Sequence, residues 1–181
     1  TLPFLTSERL YFRGLTTEDA TGPYREWMND PEITQFLESR FFPQSEKSIA
    51  EFISNVNDGR HLFLAACLSS DGTHIGNIKL GPIEAFHRRA DIGIIIGDKT
   101  QWGKGFAAEM ISAVTDYGFN GLNLRKITAG CYANNPGSAR AFLKAGFVEE
   151  ARLKGHFFSH GEYVDYIMLA KFREDTKTPV V

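Results

Sequence analysis

The segment from Ala90 to Tyr132 constrains this chain more than any other. It opens with an apolar run, Ala90 to Gly97, centred on Ile92, Ile94, Ile95 and Ile96. The turn Gln101-Trp102-Gly103-Lys104-Gly105-Phe106-Ala107-Ala108 follows. A helical pattern then runs from about Gly105 to Phe119, with Phe106, Met110 and Val114 on one stripe. Ile127 to Tyr132 reads as a short strand. Strand, turn, helix, strand predicts a right-handed parallel crossover. The two glycines let the backbone curl and aim several N–H groups at one anion. The helix N-terminus adds its positive dipole end, so a phosphate or pyrophosphate is the expected guest.

Among phosphate-binding turns, two familiar patterns fit poorly. A P-loop needs GxxxxGK[ST], but Gly97 is one residue too far from Gly103, and Gly105 follows Lys104 where Ser or Thr must hold magnesium. Gly103-x-Gly105-x-x-Ala108 matches the loose dinucleotide pattern. That pattern also needs an acid about 20 residues on for the ribose, and Gly121 to Ala133 contains no Asp or Glu. A purely structural glycine turn is the remaining alternative to an anion site.

The flanking patterns point to a mixed sheet. Leu10 and Phe12 alternate with Tyr11 and Arg13, a half-buried strand. Thr17, with Glu18 and Asp19 behind it, reads as an N-cap, and Gly22-Pro23 and Asp30-Pro31 restart helix. Ser45 caps a clearer helix, with Ile49, Phe52, Ile53 and Val56 on one face. Leu62 to Ser69 and Ile75 to Leu80 flank a Ser70-Asp71-Gly72-Thr73 turn, a hairpin signal. Asn135-Pro136 opens a helix with Ala139, Phe142 and Leu143 inward and Gly146 as its stop. Phe147 to Phe157 and Tyr163 to Lys171 close the chain as two strands. The expected fold class is α/β: a mostly antiparallel sheet of about seven strands flanked by helices, with one parallel pair. Residues 1–173 are expected to form one domain and 174–181 a polar tail.

Composition limits the function. The chain has 181 residues, with 20 Lys+Arg against 22 Asp+Glu and a formal charge of −2. That balance argues against a mainly electrostatic nucleic-acid binder. No apolar run approaches the about 18 residues of a membrane span. Cys67 and Cys131 each sit in an apolar run, with no CxxC and no metal-ligand spacing among the five His. They read as buried small hydrophobes, and no metal site is expected. Thr1-Leu2-Pro3 opens without a basic or apolar leader pattern, so a cytoplasmic setting is expected.

The motifs taken together resemble the GNAT acyltransferase superfamily, and within it the branch of ribosomal-protein N-terminal acetyltransferases. The turn is similar to that family's pyrophosphate loop, with Gly105 and Ala107 at its small positions and Trp102 where Arg or Gln is usual. Ala90-Asp91-Ile92-Gly93 resembles the family's Ala-Glu-Ile-Gly. Asn135-x-x-Ser138, then Lys144-Ala145-Gly146-Phe147, resembles its second cofactor motif. Thr6 to Leu10, Glu18 to Ala20, Trp27 to Ile33, Ile75-Gly76, Gly161 and Asp165 follow its order over roughly residues 5–171.

The resemblance implies an N-acetyltransferase that takes acetyl-CoA as acyl donor and moves the acetyl group directly to a primary amine. The pantetheine would line Ile94, Ile95 and Ile96 between two splayed parallel strands. Trp102, Gly103, Lys104, Gly105, Phe106 and Ala107 would hold the pyrophosphate, with Lys104 either adding charge or standing solvated. Asn135 would contact the pantetheine or only cap its helix, and Phe142 would pack near the thioester. The Ile95 N–H would serve as oxyanion donor. Ser138 would serve as thiolate acid, because Phe142 stands where many members have Tyr. Asp91 would be the base, unless it merely pairs with Arg88 or Arg89, and His87 and His156 are the other candidates. Glu84, Tyr163 and Phe41-Phe42 are candidates for shaping the acceptor pocket. Arg40, with Arg88 and Arg89, is either a phosphate contact or surface charge. The acceptor is left open between a small amine, an amino sugar nucleotide and a protein N-terminus, and the oligomer between monomer and homodimer. The alternative is a non-catalytic acyl-CoA-binding module on the same fold.

Overall fold

The computed structural model describes residues 2–56 and 58–174. It contains the expected crossover: β5 (Arg89–Ile96), α4 (Phe106–Asn120) and β6 (Lys126–Tyr132). β5 and β6 run parallel, from Arg89 opposite Lys126 to Ile92 opposite Ala129, and their pairing stops there. β5 continues to Ile96 against its other neighbour, β4 (His74–Leu80). β6 continues to Tyr132 against β8 (Glu162–Phe172). The two strands therefore splay, and Gly93 to Ile96 face a gap on the β6 side.

The sheet has eight strands in the order β1-β2-β3-β4-β5-β6-β8-β7. The remaining strands are β1 (Leu5–Thr6), β2 (Leu10–Gly14), β3 (Leu62–Leu68) and β7 (Val148–Ser159). The count is one above the expected seven, because β1 has two residues, too few to show alternation. Every pairing except β5–β6 is antiparallel.

Side-chain alternation divides the sheet into two faces. Ile78 and Leu80 of β4, Ile92 of β5, and Ile127, Ala129 and Cys131 of β6 pack with Phe106, Met110, Ile111 and Val114 of α4. α5 (Pro136–Lys144) adds Phe142 to that core. The opposite face of β3 carries Phe63, Ala65 and Cys67. It packs with Tyr24 and Trp27 of α1 (Pro23–Asn29) and Ile49, Ile53 and Val56 of α3 (Glu46–Val56). Gly76 and Gly97 permit close approach: a Cβ on Gly76 would lie 2.3 Å from the Ile95 oxygen, and one on Gly97 only 1.8 Å from the Trp27 ring. Cys67 and Cys131 are buried free thiols.

Two local expectations change. The cap before the first 3₁₀ turn, Thr17–Thr21, is Thr16 and not Thr17. Asp19 accepts the Thr16 N–H at 2.8 Å and also binds Arg13 at 2.7 Å, which ties that turn to β2. Asp30 caps α2 (Pro31–Thr34) as expected, accepting from the Glu32 and Ile33 N–H groups. Leu143 is 52% exposed, because Phe142 and the C-cap residue Ala145 take the inward positions at this end of α5. Among the described residues no helix is long and apolar enough to cross a membrane. Of the expected tail, 175–181 lies outside the described residues.

Candidate active site

The splayed pair opens into a cavity of about 840 Å³. One end is walled by Trp102, Gly103, Gly105, Phe106, Ala107 and the first turns of α5. The other is walled by Glu38, Asp91, Tyr132, Phe157 and Tyr166. Ile94, Ile95 and Ile96 run between the two ends.

At the first end, Gly103 and Gly105 hold φ of 76° and 83°, the left-handed region that a side chain makes costly. Gly105 is the N-cap of α4, so the free N–H groups of the first helical turn point outward from it. Arg9 braces this loop. Its guanidinium donates to the Lys104 carbonyl at 2.9 Å and to Glu109 at 2.7 Å, and lies 4.1 Å from the centre of the Phe106 ring. Burial pushes the Glu109 carboxyl up, but hydrogen bonds from the Arg9 backbone, Ser7 and the Arg9 side chain together hold it below the usual range. Lys144 brings its ammonium within 3.6 Å of where a Gly105 Cβ would stand, and Arg140 lines the same wall. Sequence reasoning placed Lys144 in the second cofactor motif but not beside this turn, and it missed Arg140, because both come from a segment remote from the turn.

Trp102 has a specific structural task. Its indole N–H donates to the Ile96 carbonyl at 2.9 Å, so it closes the end of β5. Lys104 turns back to Gln101 at 3.1 Å. Asn135 caps α5 by accepting the Ser138 N–H at 3.3 Å, and both residues line the cavity. Phe142 also reaches that wall, though only 1% exposed, and meets Phe147 edge-on with ring centres 5.1 Å apart.

At the second end, strand register gathers the polar groups on one face. Asp91 stands opposite Thr128 and accepts its hydroxyl at 2.9 Å. Asp91 does not pair with the neighbouring arginines: Arg88 binds Asn123 and Arg89 binds Glu84. The Asp91 carboxyl opens onto the cavity but is crowded by protein. That desolvation raises its pKa above the usual carboxylate range, while the Thr128 hydrogen bond and Lys79 pull it down. Tyr166 lies across Gly130, where a Cβ would come within 2.1 Å of its ring and hydroxyl. Burial and the nearby Asp91 both raise the Tyr166 pKa.

The rim over this end is a clasp. Arg40, from the 3₁₀ turn Glu38–Phe41, donates to the Tyr132 hydroxyl at 2.8 Å and to the Phe158 carbonyl at 2.6 Å. Tyr132 donates to Glu38 and stacks on Phe157 with ring centres 4.2 Å apart. Arg40 is thus tied into the protein and is not loose surface charge. Phe41 and Phe42 are exposed, Phe42 by 76%, and do not wall the cavity. Tyr163, Glu84 and His87 also lie outside it, while His156 stacks on Tyr166 behind the wall. Tyr132 and Tyr166 were missed as site residues, because neither belongs to a local motif.

The family model described as an acetyltransferase (GNAT) domain matches residues 9–148. An uncharacterized N-acetyltransferase of Bacillus subtilis is 31% identical over 166 residues, 90% of this chain and 93% of the relative. The spermidine N(1)-acetyltransferase of Escherichia coli is 30% identical over 164 residues, 86% of this chain and 78% of the relative. Among solved structures, the spermidine N-acetyltransferase from Vibrio cholerae in complex with CoA and spermine matches with a TM-score of 0.82 at 28% identity, covering 92% of this chain and 96% of that one. With the family model spanning most of the sequence and the splayed strands, glycine turn and capped α5 in their places, this chain belongs to the GNAT acetyltransferase family.

Proposed function

We propose that this chain transfers an acetyl group from acetyl-CoA directly to the primary amine of a small molecule, with both reactants in the gap between β5 and β6. One observation carries the reading. An open strand edge, a glycine-capped helix start flanked by Lys144 and Arg140, and a carboxylate of raised pKa all border a single cavity. Bound acetyl-CoA would supply a thioester carbonyl as the electrophile.

The residues present fit that guest. The left-handed glycines at 103 and 105 let the backbone approach a pyrophosphate without a Cβ in the way. The edge Gly93–Ile96 offers backbone groups to an extended pantetheine arm, and the Ile95 N–H is the proposed oxyanion donor. Asp91 takes a proton from the acceptor nitrogen as the C–N bond forms, directly or through water. The C–S bond breaks, and the departing sulfur takes up a proton relayed from water through the Ser138 hydroxyl, which ends the step protonated as it began. Phe142 has no proton to give at the position where Tyr is common in the family. The small-amine acceptor is supported by the spermidine acetyltransferases among the relatives.

Thiol release from acetyl-CoA over a panel of small amines, amino sugar nucleotides and peptide N-termini tests this reading. Turnover with small amines, lost in Asp91→Asn, is expected. Acetyl-CoA binding without turnover on any amine would instead mark an acyl-CoA-binding module.

A further inference from the structure

Beside the gap lies a second cavity, of about 510 Å³, roofed by α1, α3 and the Glu38–Phe41 turn. It shares Leu37, Glu38, Gly93, Ile94 and Ile95 with the first, so the two are adjoining lobes. Its walls are mostly rings and aliphatic chains, among them Tyr24, Met28, Phe52 and Phe63. Polar side chains interrupt that apolar lining; Gln44 and Ser48 donate to backbone carbonyls, and three further donors are Asn77, Lys79 and Ser39.

The most informative donor is Asn77. It is 1% exposed, and its Nδ2 has no hydrogen-bond partner. The orientation of its amide is fixed from behind. His74 Nε2 lies 3.1 Å from the Gly76 carbonyl and 2.7 Å from Asn77 Oδ1. A carbonyl beside that nitrogen requires it to carry the proton, so the amide oxygen faces the ring and Nδ2 is turned away from it, on a side chain that borders the lobe. A buried N–H left unsatisfied is costly, and a native protein rarely keeps one without a use.

Lys79 stands two residues along β4, about 7 Å away and on the same face. Its ammonium lies 5.8 Å from the centre of the Phe52 ring. Strand register sets Asn77 opposite Ile95 and Lys79 opposite Gly93, on the face that also carries Asp91. The third donor is the Ser39 hydroxyl, buried and unpartnered on the roof. The acid in this wall, Glu38, is already engaged by Tyr132.

We infer that this lobe is a tail subsite for the acceptor and takes an apolar chain ending in a carboxylate, held by Asn77 and Lys79 while the amine faces Asp91. The inference rests on the acetyl-transfer reading above. It separates this chain from its spermidine-acetylating relatives, because a second ammonium in the lobe would meet the like charge of Lys79 and no acceptor on Asn77 Nδ2.

A matched trio of acceptors tests it: aminohexanoate, hexylamine and hexanediamine share one chain and differ only at the far end. We expect kcat/KM for aminohexanoate to exceed that for hexanediamine at least tenfold, and Lys79→Met to bring the ratio near one. The ratio is the readout because any effect of Lys79 on Asp91 acts on all three acceptors and cancels. A second measurement needs no turnover. Calorimetric titration with hexanoate should show binding that Lys79→Met and Asn77→Leu each abolish, with no matching heat from hexylamine. A diamine that reacts as well as the amino acid, or a ratio unchanged by Lys79→Met, overturns the subsite and leaves acetyl transfer standing. Lys79-dependent hexanoate binding with no acetylation of any amine keeps the subsite and removes the transfer reading. Absence of hexanoate binding overturns the subsite.

Discussion

The two ends of the cavity are built by different means. The glycine-turn end is made of backbone: two left-handed glycines, the start of α4 and an unpaired stretch of β5. The Asp91 end, proposed above for the amine, is made of side chains brought from distant segments: Glu38 and Arg40, Asp91, Tyr132, Phe157 and Tyr166. A backbone site depends little on which side chains surround it, so it suits a donor that stays the same. A side-chain site changes with each substitution, so it suits a group whose partner differs among relatives.

The contrast breaks most sharply at Asp91. Proton transfer by a positioned base typically contributes 10²- to 10⁴-fold, so Asp91→Asn should lower kcat/KM by at least about 100-fold and leave acetyl-CoA affinity nearly intact. The same substitution should stabilise the fold at neutral pH. Crowding raises the Asp91 pKa, so the folded protein prefers the protonated carboxyl. The stabilising contribution of that group is complete below its unfolded value and fades as pH rises through the folded one. Asn carries no such dependence, so thermal melts at pH 7 should show Asp91→Asn above the parent and the difference should close toward pH 4. Activity in the parent should fall as pH drops through the raised pKa, because the base is then protonated.

Arg40→Ala probes the side-chain end alone. It removes charged hydrogen bonds to Tyr132, Phe158 and Leu37, each of a kind worth about 2 kcal/mol. The acceptor KM should rise roughly tenfold to thirtyfold, with the acetyl-CoA KM within twofold. Equal changes in both constants would mean that the clasp supports the whole gap and that the two ends are one unit.

Gly105→Ala is the reverse experiment. The added Cβ finds ordinary contact distances, 3.6 Å to the Lys144 ammonium and 3.7 Å to Arg9. The cost is therefore conformational, about 1 kcal/mol for an L-residue at positive φ. Acetyl-CoA affinity should drop about fivefold, measured by calorimetry, with acceptor KM unchanged.

Legibility in the sequence follows the same division. The crossover from Ala90 to Tyr132 could be read because its signals are local: β-branched residues, then glycines, then a helical stripe. The Asp30 and Asn135 caps were legible for the same reason, each acting within three residues. Arg40 and Tyr132 lie 92 residues apart and meet only through the sheet order, so no spacing announces them. Asp91 illustrates the limit within one residue. Its strand position was readable, but its partner was not, because Thr128 arrives across the parallel pair while the neighbouring arginines turn to Glu84 and Asn123. Phe41-Phe42 failed differently, since hydrophobicity alone does not say which side of a short 3₁₀ turn faces the cavity.

Ser138 lines the gap from the backbone-built end, and its substitution has a smaller expected effect than that of Asp91 or Arg40. It lies in the first turn of α5, lines the gap, and receives the Asn135 cap through its backbone N–H. Ser138→Ala keeps that cap and removes only the hydroxyl. If the hydroxyl returns a proton to the departing sulfur, kcat should fall about fivefold to tenfold while both KM values hold. A coenzyme A thiolate is a tolerable leaving group, which keeps the effect below that of Asp91→Asn. Tyr166→Phe supplies the control. That hydroxyl faces the same cavity, and burial together with Asp91 raises its pKa, so it retains its proton at neutral pH. A fall in kcat with Ser138→Ala and not with Tyr166→Phe assigns the proton to α5, on the backbone-built side. The opposite result assigns it to β8. The departing sulfur would then be served by the side-chain-built end, and the two ends would share the chemistry.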